Sequence, residues 1–431
     1  MSDLAFRRTC WALALLAVLA YLSLFFAYRL NVPYQDDMND ILAFLMHFTG
    51  AETWAERLAA WYEPQNNHRT GASRLLYLAV YGVLGHADFT VIAALAGLAW
   101  LSLPLLYSRM SSQPVALVLC LGWLILATPR AFTLPHWAMT ASHFYYLVFL
   151  GAACFLALAR PGRRRFVLAM GLATIASFVG AAGLLTWIAG GAWLGWEMLR
   201  GRRELGQLLV WLFWSVLIST LAFEPMPAVN PLPVVPEAGL WHDLQFLLVL
   251  LGSGLAFDGI AWAMACGALL LSCLSYAGLS ALATDTLGPL HVMLALLLLM
   301  ALAVVLGRAD YASLDYALTA RYSVISANLL LCLVLLALRQ GPWLQAAIVL
   351  ALALNLATYY FYGPQYEQLM KRRANAFNKG NYPVMFRDTA EMNQFVAEAE
   401  AAGIYRPPER PQAVARFFSG LGKAPDKASR R

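Results

Sequence analysis

Between Asn31 and Arg74 the chain reads NVPYQDDMNDILAFLMHFTGAETWAERLAAWYEPQNNHRTGASR, a polar interval in an otherwise apolar sequence that opens on three carboxylates, Asp36, Asp37 and Asp40. Asp36 and Asp40 are four apart and Asp37 and Asp40 three apart, so a helix starting here carries two acids on one face. Acids crowded at a partly desolvated site raise one another's pKa, which suits a general base that takes a hydroxyl proton. The same residues also suit a helix start, where Asp side chains accept from unpaired N–H groups at the positive end of the dipole. Asp40 is assigned to that capping role, and Asp36 and Asp37 to chemistry.

A second polar group, EPQNNHR, holds Glu63, Asn66, Asn67, His68 and Arg69, with Arg74 following. A guanidinium fork matches phosphate oxygens, and an imidazole donates or accepts, so this group can hold a phosphate or a sugar. The same residues can equally satisfy loop backbone or solvent. A third group is GRADYASLDYALTARY, residues 307–322, between two apolar runs. Arg308 closes one run and Arg321 opens the next, which sets both heads at headgroup depth. An arginine there either snorkels or, beside aspartates in a shared vestibule, receives a lipid phosphate. His136 and His143 flank the aromatic turn LPHWAMTASHFYY, which also fits an ordinary interfacial belt. There is no HExxH, Walker A, GxGxxG or GxSxG pattern, which argues against a zincin, a P-loop ATPase, a Rossmann enzyme and a serine hydrolase.

The elements that must position these groups are membrane helices. Of 431 residues, 61% are hydrophobic and 13% charged, about half the charge of a soluble chain, and the mean hydropathy is +0.62. Without long alternating segments, a helical bundle is expected rather than a barrel. Stretches of about 15 to 22 apolar residues predict spans near 10–29, 88–107, 115–128, 143–159, 166–180, 183–199, 207–222, 259–280, 289–306, 322–338 and 343–361, about eleven in all. The first reads as an uncleaved span and not a signal peptide. Arginines at 7, 8, 109, 160, 163–165, 200, 202, 203 and 339 alternate with acidic loops, a positive-inside pattern that places the N-terminus in the cytoplasm and Asp36 outside. The net charge of +6 is thus a topology signal and not a nucleic-acid footprint.

Within the first outer segment, 31–87, Ile41, Phe44, Leu45 and Phe48 recur at helical spacing, and Trp54, Leu58 and Trp61 continue the stripe, as in helices that lie along the interface. Leu75–Leu84 reads as another juxtamembrane helix, and Leu244–Leu251 as a dip into the membrane after the proline-rich stretch 224–241. The expected division is a membrane domain, 1–362, and a polar tail, 363–431, with one short helix marked by Met392, Phe395, Val396 and Ala399 and stopped at Gly403. The six cysteines lie in or beside apolar runs and form no disulfide framework or zinc spacing.

The first span, the acidic pair Asp36 and Asp37 after it, the NNHR element (His68, Arg69) and the GR…ARY element (Gly307, Arg308, Arg321, Tyr322) resemble the GT-C superfamily of integral membrane glycosyltransferases, in particular bacterial members that use polyprenyl-phosphate sugars. The resemblance covers most of the membrane domain. It implies a GT-C-like polytopic bundle in the bacterial inner membrane, with a periplasmic site that needs no nucleotide. One of Asp36 and Asp37 would take the acceptor proton, and Arg321, with Arg308, would neutralise the departing lipid phosphate. Glu63, Asn67, His68, Arg69 and Tyr322 would complete substrate binding. The implied partners are a polyprenyl-phosphate-linked sugar, a periplasmic glycan, lipid or protein acceptor, and membrane lipids, with no nucleic acid. No cofactor or metal site is indicated, and whether a divalent ion assists stays open. The pair here is Asp-Asp and not the Asp-Glu of several GT-C branches, so which acid is the base stays open too. A lipid-linked sugar flippase would be expected to carry charges in mid-span, which the Leu-, Ala- and Val-rich spans lack. An O-antigen ligase or polymerase would rely on arginines in a large outer loop without an acid cluster.

Overall fold

The computed structural model describes residues 3–65, 68–223, 234–257, 259–338, 343–380 and 389–409. Its architecture is all-α, with a two-stranded ribbon, Pro64–Gln65 and His68–Arg69, as the only sheet among the described residues. Eight helices in the described residues are long and apolar enough to cross a membrane: Asp3–Ala27, Phe89–Met110, Ala138–Leu158, Leu205–Ala222, Ile260–Ala283, Pro289–Tyr311, Ala320–Ala337 and Leu344–Asn378. This is the composition and length pattern of a multi-pass membrane protein. Three more of the expected spans are the helices Val115–Leu126, Arg163–Ser177 and Leu185–Leu199, of 12, 15 and 15 residues. At 1.5 Å per residue these reach only about 18 to 22 Å, short of the roughly 30 Å hydrocarbon layer. Val115–Leu126 is buried on nearly every side, so it behaves as a core helix and needs no lipid-facing surface.

Glycine permits one backbone approach that no other residue could. Helix Leu240–Gly252 lies along Ile260–Ala283. A Cβ on Gly252 would stand 1.9 Å from the Ala263 carbonyl oxygen, and one on Gly267 would stand 1.8 Å from that of Leu248. Small residues at such a crossing let helices pack by van der Waals contact where lipid supplies no hydrophobic drive.

At the end of the bundle where the first helix finishes, a second apolar core gathers the short elements. A π-turn, Met38–Ala43, runs into helix Phe44–Gly50. Helix Trp54–Tyr62 follows, opened by a capping box in which Thr53 and Glu56 satisfy each other's backbone. Ile41, Leu42, Phe44 and Leu45 are buried against Tyr77 and Val80 of helix Gly71–Leu84, while Trp54 and Leu58 are exposed, the pattern expected of interfacial helices. Gly85, at φ 72°, ends helix Gly71–Leu84 in the left-handed conformation that favours glycine.

The expected boundary at 362 falls inside a helix, since Leu344–Asn378 continues through it with Pro364 in its interior. Its polar extension is half core: Tyr366, Met370 and Ala374 pack on Leu24, Tyr28, Leu30 and Val32. The expected tail helix is present as Thr389–Ala401, with Met392, Val396 and Ala399 buried in the same core as Met38 and Ile41. Ala87 N–H donates to the Ile404 carbonyl, Tyr405 hydroxyl donates to the Asn31 carbonyl, and the Tyr405 ring meets Phe89. The tail therefore lies at the same end of the bundle as the acidic segment and fastens its two ends.

Candidate active site

Asp36 and Asp37 are adjacent in sequence but are put to different uses. Gln35, immediately before them, holds φ 52°, a left-handed value that a residue with a side chain adopts only when its surroundings require it. Asp37 is turned inward and fully buried: one carboxylate oxygen accepts from the Tyr34 N–H at 3.1 Å, the other from Met139 N–H at 2.8 Å. Burial pushes its carboxyl up to about 7, against the pull of the Met139 amide and the Arg373 guanidinium. Arg373 is also buried, donating to the carbonyls of His136 and Val32 and lying over the Tyr34 ring. Asp37 is thus committed to tying the first segment onto helix Ala138–Leu158.

Asp36 is only half-buried and lines a cavity of about 290 Å³. Burial raises its carboxyl above the usual carboxylate range, with Arg321 the strongest opposing influence. The same cavity is lined by His68, His143, Arg308, Arg321 and Tyr322, and its far wall is apolar, with Met300, Val304 and Ile325. Arg321 stands amid three aromatic rings, Trp137, Tyr316 and Tyr322, at 5.0 to 5.5 Å from guanidinium to centroid. It donates to the hydroxyls of Tyr316 and Tyr322, while its Nε is buried with no partner among the described residues. Burying a cation is costly without an anion to pair with. Among the described residues no carboxylate lies within ion-pair distance of Arg321, and the buried Nε atoms of Arg74 and Arg373 are likewise without partners. Arg308 adds an exposed second guanidinium at the rim.

Asp40, assigned from sequence to helix capping, makes no such cap. It is fully buried and is the hub of a polar cluster, accepting from Thr70 hydroxyl at 3.0 Å and Tyr77 hydroxyl at 3.1 Å. His143 Nε2 lies at 3.5 Å and Arg74 at 4.0 Å. Burial alone would raise the Asp40 carboxyl, but the His143, Arg74 and Thr70 contacts outweigh it and hold the group below its ordinary value. Asp40 does sit in the first turn of Met38–Ala43, but its carboxylate turns to side chains of other segments and not to the turn's own amides. His68, carried on the short ribbon, meets His143 edge to face at 6.3 Å between centroids. Burial, with His143 beside it, lowers His68 to about 4, so it is a neutral hydrogen-bonding group.

Asp36, His68, Arg308, Arg321 and Tyr322, expected from sequence, therefore meet in one cavity. Glu63 and Arg69 do not join them. They line a separate open depression of about 800 Å³ with His47 and Glu56, where Arg69 donates to the carbonyls of Tyr62 and Leu221 and stacks on the Tyr62 ring. Asn67 lies outside the described residues. His136 is buried between Phe25 and Tyr366, away from the cavity lining. Sequence reading gave His143 no catalytic part and Arg74 and Tyr77 no place in a network. The available signal was polar: Thr70, Ser73, Arg74 and Tyr77 recur at helical spacing in a run otherwise apolar.

Fold and cavity together define an all-α, multi-pass membrane-type protein with a pocket lined by Asp36, two histidines and two arginines. Compared with known proteins, the chain matches no family model, no curated protein and no solved structure.

Proposed function

We propose that this protein is a membrane glycosyltransferase of GT-C type, with about eleven membrane crossings. It moves a sugar from a polyprenyl-phosphate donor to an acceptor hydroxyl on the periplasmic face of the inner membrane. One observation carries the reading: Asp36, and Arg308 and Arg321 about two thirds of the chain length further on, line a single cavity with an apolar wall. A carboxylate beside unpaired guanidiniums, next to a surface fit for hydrocarbon, matches a reaction in which a hydroxyl loses a proton while a lipid phosphate departs. In that reaction the acceptor oxygen bonds to the sugar's anomeric carbon as the bond from that carbon to the phosphate oxygen breaks. The electron pair leaves with the phosphate and the proton passes to Asp36, inverting the anomeric centre. Arg321 and Arg308 meet the charge that grows on the phosphate, where preorganised donors count most. Asp37 is excluded as the base in this reading because both its oxygens are taken by backbone amides.

The test is transfer from a panel of radiolabelled polyprenyl-phosphate sugars in membranes holding matched amounts of wild type, Asp36→Asn or Arg321→Ala. Asp36→Asn is expected to lower transfer by about 10²- to 10⁴-fold, and Arg321→Ala by at least about 10²-fold. Transfer that persists in both variants, or no consumption of any donor by the wild type, overturns the reading and brings forward a lipid-linked sugar flippase, or an O-antigen ligase or polymerase.

A further inference from the structure

The cavity holds a second acid–base system that the mechanism above leaves idle. His143 lines the cavity with Asp36. Its Nε2 stands 3.5 Å from the Asp40 carboxylate with no hydrogen-bond partner among the described residues, an ion pair when the imidazole is protonated, and Nδ1 is the other ring nitrogen. Asp40 is held in place by Thr70, Tyr77 and Arg74, groups from the segment before helix Gly71–Leu84 and from that helix. Tyr77 hydroxyl also meets Ser142, the residue beside His143. A buried carboxylate on one nitrogen of a histidine fixes the ring and stabilises the imidazolium when the other nitrogen takes a proton. Fixing a surface helix alone does not call for a buried acid with several polar partners, because each is costly to desolvate.

We propose that His143, backed by Asp40, is a proton relay for the base Asp36. The relay rests on the glycosyltransferase reading. After the hydroxyl proton has reached Asp36, it passes from the Asp36 carboxyl to His143 Nδ1, directly or through one water. The Asp40 carboxylate balances the imidazolium, and the proton then leaves to bulk water, so that Asp36 is again a carboxylate for the next turnover. No oxidant or further reactant is needed, since one proton enters and one leaves.

The experiment uses the full-length protein in lipid nanodiscs and whichever polyprenyl-phosphate sugar the wild type consumes, with polyprenyl phosphate counted as product. His143→Gln is expected to lower kcat by about 10²-fold or more while the KM for the donor stays within about threefold and the melting temperature holds. Should the Gln variant fail to fold, His143→Gly supplies the second measurement: added imidazole raises its rate, and does not raise that of Asp36→Asn. A wild-type rate in His143→Gln overturns the relay, as does a folded His143→Gly that imidazole leaves unchanged. An active wild type that loses transfer in Asp36→Asn but is indifferent to His143 overturns the relay alone. A wild type that consumes no donor overturns the glycosyltransferase reading and the relay with it.

Discussion

Two aspartates one residue apart differ in every physical respect that decides a role. Asp37 is an acceptor for two backbone amides deep in the protein, whereas Asp36 is half-exposed to a cavity. Asparagine at 37 has one carbonyl oxygen for two donors, so one amide faces an NH₂ group. Leaving a buried donor unpaired costs about 1 to 3 kcal/mol, and Asp37→Asn is expected to lower the melting temperature measurably. Asp36→Asn leaves that temperature nearly unchanged, since Asp36 makes no such bond, and its loss appears in transfer. Thermal unfolding in detergent checks both. His68 predicts a pH effect of definite sign. Its ordinary value of 6.5 falls to about 4 in the folded protein, so between these values the unfolded chain binds the proton and the folded one does not. Stability therefore rises with pH through this window. The contribution is full above about 6.5 and is lost as the pH falls toward 4. His68→Gln, which cannot take a proton, is expected to flatten the melting-temperature profile between pH 4 and 6.5, and an unchanged slope would count against the buried neutral histidine.

At the scale of elements, tight crossings and the docked tail govern stability. Gly267→Ala forces helices Leu240–Gly252 and Ile260–Ala283 apart, because its methyl group would overlap the Leu248 carbonyl. Overpacking of this kind costs about 1 to 3 kcal/mol or more. Gly278→Ala, on the same helix with open space around it, is the control and is expected to be neutral or mildly stabilising. Met392→Ala removes a buried side chain from the contact between helix Thr389–Ala401 and the π-turn, a change worth about 2 to 5 kcal/mol in a packed core. The readout is local: faster hydrogen exchange in 31–50 and 87–92, with the spans near 115–126 and 323–337 unaffected. The sequence made the tail helix legible through its apolar spacing and the stop at Gly403. It did not disclose where the helix docks, because the partner surface is formed by residues 350 positions earlier.

For the whole molecule, helix Asp3–Ala27 is about 37 Å long at 1.5 Å per residue, enough to separate its start from the Asp36 end by the thickness of a bilayer. Helix Ala138–Leu158 runs back from that end, where Met139 meets Asp37, toward Arg163. In a background with the native cysteines replaced, cysteines at the exposed positions Trp54 and Ala397 are therefore expected to react with an impermeant maleimide from one side, and a cysteine at Arg164 from the other. Trp54 and Ala397 reacting from opposite sides would contradict the fold. The all-α, multi-span character was readable because apolar length is summed over many residues. The meeting of Asp36 and Arg321 in one cavity was readable only as two sites flanking spans. The Asp40 cluster was hidden because the hydroxyls that bond it, Thr70 and Tyr77, stand 30 and 37 residues further along the chain.

The fastening of residues 31–37 by Arg373 and Tyr405 has a consequence for how the protein is made. The acidic segment lies near the start of the sequence, yet the Val32 and Asn31 carbonyls meet Arg373 and Tyr405, 341 and 374 residues later. A chain stopped before Arg373 lacks both fastenings, and one stopped between Arg373 and Tyr405 lacks the second. These contacts of the acidic segment are therefore made late in synthesis, after the helices between them have emerged.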